Sequence, residues 1–310
     1  MILSVARHLW RRWHAMLAAR AATLPVNLRK IEVSSETISA DVEYAVRIGE
    51  EYVTLVRGIS DDIRERSVLE LGPGINFGSS LVLACHGARV LVADRFLAPW
   101  QDPYHPSFYR ALNAWLADNR LSLDRTPLTR IISTNAYPRH LPIQVHAPAE
   151  RLAGLADCTV DIVLSNAVLE HVINLAAVAA ELYRVTKPGG LGIHQVDFRD
   201  HRDFAHPLEY LLLGDAEFGA MFRRSHGECG SQIRHEDLTE QFRCAGFEIL
   251  HFDANMFAED RYLDDFLPRL RGTASRYREV PRETLAIISG RLFLRKPKRA
   301  TALDSSQHSN

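Results

Sequence analysis

The chain's 310 residues exceed the usual domain of roughly 150, so one large domain or two small ones are expected. It is 46% hydrophobic and 24% charged, enough for a real core, which excludes a disordered, collagen-like or disulfide-scaffold protein. With 37 basic and 38 acidic residues the net charge is −1, which argues against nucleic acid as a partner, because that affinity comes largely from neutralising phosphates.

Residues 1–31 carry Arg7, Arg11, Arg12, Arg20, Arg29 and Lys30 with no acid, and Ile2, Val5, Leu9, Trp13 and Met16 recur at helical spacing. The pattern predicts a basic amphipathic helix. It either packs on the protein's own body or rests, through residues 1–20, on an anionic membrane surface or a partner. No apolar run reaches the roughly 18 residues of a membrane span. Ile38, Val42, Val46, Val53, Val56 and Ile59 keep a helical rhythm over 36–59, with Thr37 or Ser39 as the cap. Residues 1–60 are read as a helical N-terminal arm.

The pattern then changes. Val68-Leu69-Glu70-Leu71 is a buried strand delivered into the turn Gly72-Pro73-Gly74. A helix over Gly78–Ala84 and a strand over Ala88–Ala93 follow, the latter ending at Asp94. Residues 96–141, with five prolines and a helix near Phe108–Asp118, form a first cap insertion, being too long for a plain loop. Strands at Ile143–His146 and Val160–Ser165 precede a helix at Leu175–Val185 that closes at Lys187-Pro188-Gly189-Gly190, and a strand at Leu191–Val196. A histidine-rich second insertion occupies 200–235. A helix at Glu236–Ala245 stops at Gly246, and strands are expected at Phe247–Phe252 and Thr284–Leu294. The main domain thus spans 61–295, with 296–310 a disordered tail. Strands alternating with helices predict an α/β, doubly wound, mostly parallel Rossmann-like sheet with a helical N-terminal arm and cap insertions. Cys85, Cys158, Cys229 and Cys244 lack close pairing, so no disulfide framework or zinc site is expected, and the thiols fit a cytoplasmic location.

Ligands of such sheets sit outside the carboxyl ends of the strands, where the strand order reverses. The glycine turn and Asp94 both fall at such ends. A turn without side chains lets the backbone approach a bulky cofactor, and an acid ending the next strand accepts from ribose hydroxyls.

The chain Glu70-Leu71-Gly72-Pro73-Gly74, Asp94 twenty residues on, Ser165-Asn166-Ala167-Val168-Leu169-Glu170-His171-Val172 after a strand, and the helix–Lys187-Pro188-Gly189-Gly190–strand unit together resemble the class I S-adenosylmethionine-dependent methyltransferases. The broad type 11 group, which includes the ubiquinone and menaquinone biosynthesis enzymes, is the nearest in kind. The resemblance covers about residues 66–198. It implies S-adenosyl-L-methionine as the cofactor, with Glu70, Gly72, Pro73 and Gly74 at its amino-acid end and Asp94 on the ribose. Arg95 would lie beside the adenine, with Ala149 and Glu150 near it, and Asn166 toward the methionine portion. Two positions depart from the family pattern. Asn76 stands where a third glycine is common, and Pro148-Ala149-Glu150 replaces an acid-alanine-acid segment, so the acid expected on the adenine amino group is missing.

The expected reaction is methyl transfer to oxygen of a small organic acceptor, a sugar or hydroxylated metabolite. A hydroxyl acceptor needs its proton removed, and a histidine with a pKa of about 6.5 suits that. His201, just past the fifth strand, and His171 are the candidates; His194 reads as a satisfied sheet residue. Trp100, Tyr104, His105, Tyr109, His206, Tyr210, Phe218, Phe222 and His226 of the two insertions either line an acceptor pocket or form a satellite core. No metal is expected, because the histidines lack ligand spacing. The other readings are an inactive methyltransferase-like adaptor at a membrane or complex, and a nicotinamide oxidoreductase. Tyr183 and Lys187 have a dehydrogenase-like spacing, but Pro188 pushes Lys187 out of the helix.

Overall fold

A computed structural model describes residues 25–60, 62–119 and 123–298. The expected basic helix therefore lies outside the described residues up to position 24, as does the tail from 299. Seven strands form one sheet: β1 Ser67–Leu71, β2 Arg89–Asp94, β3 Ile143–His146, β4 Val160–Asn166, β5 Thr186–Asp197, β6 Glu248–Phe257 and β7 Ile287–Arg295. Their order is β3-β2-β1-β4-β5-β7-β6. β1 to β5 are parallel, and β7 runs antiparallel to both β5 and β6. Order reverses between β1 and β4, which creates the crevice where α/β sheets hold ligands. The antiparallel β7 between β5 and β6 departs from the 3-2-1-4-5-6 order of dinucleotide-binding sheets.

Both faces of the sheet are covered, and the parallel strands need this because they are apolar on both sides. Helix α1, Ser35–Ile59, is capped by the Ser34 hydroxyl, which accepts from the Thr37 N–H at 3.1 Å. The cap is thus Ser34, one turn before the residues expected. Ile48, Tyr52, Val53 and Val56 of α1 pack on Val68, Val90 and Ile162 of the sheet. Its earlier turns meet α2, Gly78–Cys85, so closely that a Cβ on Gly49 would stand 2.6 Å from Val82. Helices α5, Leu175–Val185, and α7, His235–Cys244, bury Val178, Leu182, Leu238 and Phe242 against the opposite face.

The segment 96–141 is an enlarged β2–β3 crossover. Helix α3 spans Tyr104–Asp118, a turn earlier than the pattern suggests, and α4, Thr126–Thr134, was not anticipated. Both pack on α1 and α2 through Phe108, Tyr109, Leu112, Leu128 and Ile131. Within 200–235 the described structure holds a short 3-10 turn, Glu209–Leu212, and helix α6, Asp215–Arg224.

Three boundaries are corrected, and one further helix was not anticipated. Lys187–Gly190 belongs to β5, which starts as α5 ends. The expected strand start at Thr284 is helical, since α9, Arg282–Ala286, follows Pro281, and a proline's fixed φ starts helices readily. Helix α8, Asp260–Arg271, lies in a stretch left without an element in the sequence reading. Lys296 is not part of a loose tail. It is buried, and its ammonium donates to the carbonyls of Tyr183 and Thr186 at 2.6 and 2.8 Å.

Candidate functional site

A cavity of about 390 Å³ opens at the carboxyl ends of β1, β2 and β4, within the range of small-molecule sites. Gly72 and Gly74 form its floor, with φ of +61° and +70°. The two glycines are required for different reasons. A Cβ on Gly72 would meet Val168 at 2.4 Å, whereas a Cβ on Gly74 would project into open space. That empty approach, beside an acid across the cavity, fits a bulky nucleoside cofactor held by backbone.

Glu70 and Pro73 are not in the lining. Glu70 is buried, and its carboxylate accepts from the Ser79 hydroxyl at 2.8 Å and from the Ser80 hydroxyl. Burial pushes its pKa up to about 7 against the pull of those two donors. It fastens the first turn of α2 to β1 and so shapes the glycine turn from behind. Asn76, in place of the third glycine, has its own work. Its Oδ1 accepts from the Gly78 N–H at 2.9 Å and its amide donates to the Tyr104 hydroxyl at 2.8 Å, so it closes the start of α2.

Asp94 ends β2 and faces the cavity. It accepts from the Phe96 N–H at 2.6 Å and from the Asn27 side-chain amide at 3.3 Å, and burial raises its pKa. Four lone-pair directions on the two oxygens leave room for ribose hydroxyls beside these donors. Arg95 and Glu150 pair at 3.4 Å, and Glu150 also accepts from the Ile173 N–H at 2.9 Å. Ala149 and Phe96 stand in the same wall. Asn166 ends β4, and its amide donates to the Tyr44 hydroxyl at 2.7 Å.

His171, at the end of a 3-10 turn after β4, lines the cavity. Its Nδ1 lies 2.8 Å from the Gly227 carbonyl. A carbonyl only accepts, so Nδ1 carries the hydrogen and Nε2 the lone pair. Burial lowers its pKa. His201 does not reach the lining. It stands behind His171, ring centroids 5.0 Å apart, with Nε2 3.7 Å from Asp197. Burial, then the repulsion that a protonated His171 would exert, hold its pKa down. His194 is a core residue as expected: fully buried, bonded to Ser165 Oγ at 2.8 Å and stacked on Phe242.

The aromatic residues of 96–141 do not line this cavity. Trp100, Tyr104, His105 and Tyr109 stack with one another and with Tyr137 in a buried cluster, and His105 Nε2 lies 2.9 Å from the Ile75 carbonyl. Of the two readings of these residues, the satellite core is the one they follow. From the second insertion, His226 and Glu228 reach the wall. His206 instead pairs with Asp203 at the surface. Tyr183 and Lys187 form no dyad, since Lys187 pairs with Asp161 at 2.8 Å and Lys296 sits over the Tyr183 ring. Sequence reading missed Asn27, Tyr44, Phe96 and Val168. Phe96, two residues past the acid, and Val168, two residues past Asn166, had a positional signal; Asn27 and Tyr44 arrive from remote elements.

A family model described as a methyltransferase domain matches residues 112–193. No curated protein matches the chain in sequence. Among solved structures it is similar to an S-adenosylmethionine-dependent methyltransferase from Mesorhizobium loti, at 14% identity and TM-score 0.45, over 78% of this chain and 96% of that one. It is also similar to the geranyl diphosphate C-methyltransferase of Streptomyces coelicolor A3(2), at 12% identity and TM-score 0.41, over 80% and 77%. Neither likeness bears on the acceptor. Residues 112–193 thus match a methyltransferase domain, and they lie within a Rossmann-like α/β sheet. The match does not single out the ubiquinone and menaquinone group. Among the described residues, no helix is long and apolar enough to cross a membrane.

Proposed function

We propose that the cavity binds S-adenosyl-L-methionine across the strand-order reversal and that the enzyme methylates oxygen of a small organic acceptor, a sugar or hydroxylated metabolite. The observation that carries the cofactor placement is that Gly74, whose missing Cβ leaves open space, and Asp94 line one cavity. In this reading Gly72 and Gly74 meet the amino-acid end, Asp94 the ribose, and Arg95, Phe96 and Ala149 flank the adenine. Glu150 fixes Arg95, Glu70 supports the turn from behind with Pro73 shaping it, and Asn166 with Tyr44 borders the methionine portion. When bound, the cofactor supplies a methyl already activated by its sulfonium.

The protein's remaining task is to orient the acceptor and manage its proton. His171 in the wall is neutral because burial lowers its pKa, and with Nδ1 on the Gly227 carbonyl its Nε2 keeps a lone pair. His201 backs it. This arrangement supports an oxygen acceptor, which must lose a proton, and the four free thiols support a reducing, cytoplasmic setting.

The test has two arms. Calorimetry with S-adenosylhomocysteine is expected to show one site, weakened by Asp94→Ala by about 1.5–3 kcal/mol, the range for a charged hydrogen-bond partner. Absence of binding, or unchanged affinity in the variant, would remove the cofactor placement. In the second arm, methyl-labelled cofactor is incubated with a metabolite mixture. Label recovered on nitrogen or carbon would overturn the oxygen assignment.

A further inference from the structure

We propose that Glu170, His171 and His201 form a binding site for a first-row divalent cation, of the zinc or manganese type, at the inner wall of the cavity. The site deepens the role given above to His171 and His201 and takes its chemical purpose from that reading. Its existence is testable with neither cofactor nor acceptor present.

The sequence hides this cluster and the topology creates it. Glu170 and His171 lie on the short turn after β4, and His201 lies in the loop after β5. β4 and β5 are parallel neighbours, so their outgoing loops emerge side by side. One coordinating atom from each of the three residues then falls within 4.8 Å of the other two.

Two of the candidate ligand atoms of these residues are buried without a hydrogen-bond partner. Glu170 is fully buried; it accepts through Oε1 from the Asp197 N–H at 3.2 Å, and its Oε2 has nothing. His201 Nε2 is likewise unpartnered. The nearest charge to it, Asp197, is held by the Arg199 guanidinium at 2.6 Å and needs no further cation. The third donor is prepared in another way. His171 gives its Nδ1 hydrogen to the Gly227 carbonyl, which fixes the ring and leaves Nε2 as a ligand atom. A backbone carbonyl on the outer imidazole nitrogen is the common way proteins orient a metal-binding histidine.

A buried polar atom without a partner costs about 1–3 kcal/mol, and one cation would satisfy all three atoms together. With metal–ligand bonds of about 2.1 Å the ligand atoms would stand roughly 3.4 Å apart, so the side chains need close only by about an ångström. Two imidazoles and one carboxylate suit zinc or manganese rather than magnesium or calcium, which prefer all-oxygen sets. Three protein ligands leave coordination positions free, the arrangement of catalytic rather than structural metal sites. Because His171 is in the cavity wall, a cation held there would adjoin the cavity proposed for the acceptor. A cation there would lower the hydroxyl's pKa.

The test uses the full chain after chelator treatment. Titration with Zn²⁺ and Mn²⁺ is expected to show one equivalent bound by calorimetry, and Co²⁺ should give a ligand-field absorption band of matching stoichiometry. Glu170→Gln and His201→Ala should each reduce affinity at least tenfold. Both variants are also titrated with S-adenosylhomocysteine, which is expected to bind them as it binds the parent, showing that they fold. No stoichiometric cation on the parent chain would overturn the site, whatever the variants do. Equal cation affinity in parent and both variants would overturn it too, by placing the ion elsewhere. Failure of S-adenosylhomocysteine to bind, with the cation still held, would sink the cofactor placement and leave this site standing.

Discussion

Gly72 and Gly74 look alike in the sequence, yet the structure gives them separable jobs. Both have positive φ, which costs a residue with a Cβ about 1–2 kcal/mol. At Gly72 the new Cβ also strikes Val168 at 2.4 Å, while at Gly74 it meets nothing within 4 Å of the protein. Gly72→Ala is therefore expected to lower unfolding free energy by about 2–3 kcal/mol, with part regained in Gly72→Ala/Val168→Ala, where the contact is relieved and the backbone cost remains. Gly74→Ala should cost only the backbone term in stability and lose at least tenfold in S-adenosylhomocysteine affinity. Denaturant melts and calorimetry on the same three variants check this. Parental affinity in Gly74→Ala would mean that the turn does not face the ligand. Glu70 teaches the same lesson in reverse: its place before the glycines suggests contact with a cofactor, but Ser79 and Ser80, nine and ten residues on, take both oxygens.

At the scale of elements, Arg234 decides whether the second insertion is a lid or part of the body. It is 2% exposed and donates to the carbonyls of Phe198 and Ile287 at 2.9 and 2.6 Å and to the Tyr210 hydroxyl at 3.2 Å. One guanidinium thus ties the end of 200–235 to the chain leaving β5 and entering β7. Arg234→Met keeps the bulk but removes the donors; the Phe198 carbonyl keeps the Tyr210 hydroxyl at 2.7 Å while the Ile287 carbonyl loses its guanidinium partner, so a loss of about 1–3 kcal/mol is expected in chemical denaturation. A loss under about 1 kcal/mol would show that the anchor is dispensable. No sequence pattern marks this residue, because its partners are two backbone carbonyls and a tyrosine from three separate stretches. What was legible follows a physical rule. β1, β2, β4 and α5 are short periodic or apolar runs bounded by glycine, proline or acid, and their ends fall within about two residues of the expected ones. The misplaced pieces lie where those signals are short or overlap: Thr284–Ala286 is helical after Pro281, and α4 and α8 are helices of 9 and 12 residues that bury only two and three side chains. The cavity wall divides in the same way. Gly72, Gly74, Asp94 and Asn166 are strand-end residues and could be read in order, whereas Asn27 and Tyr44 reach the wall only after the chain has folded back on itself.

For the whole molecule, the sheet's centre sets how stability responds to acid. His194 lies on β5 between β4 and β7, fully buried, with Ser165 as its one polar contact and Phe242 against its ring. Burial lowers its pKa from the ordinary 6.5 to about 3. The unfolded chain therefore binds a proton between these values that the folded chain does not, so His194's contribution to stability is complete above about 6.5 and is lost as pH falls toward 3. Glu70 acts oppositely, because its pKa is raised to about 7: its contribution is complete below its ordinary 4.5 and is lost as pH rises through about 7. The two partly cancel between pH 4.5 and 6.5, and a single acid melt would understate both. The difference between parent and His194→Asn separates them, because Glu70 is common to both chains while the asparagine does not titrate. That difference in unfolding free energy is expected to shrink by about 1.4 kcal/mol for each pH unit below 6.5. Parallel profiles for the two chains over pH 4 to 6.5 would show that the histidine finds a way to charge inside the fold, and the sheet's centre would then be wetter than its packing indicates.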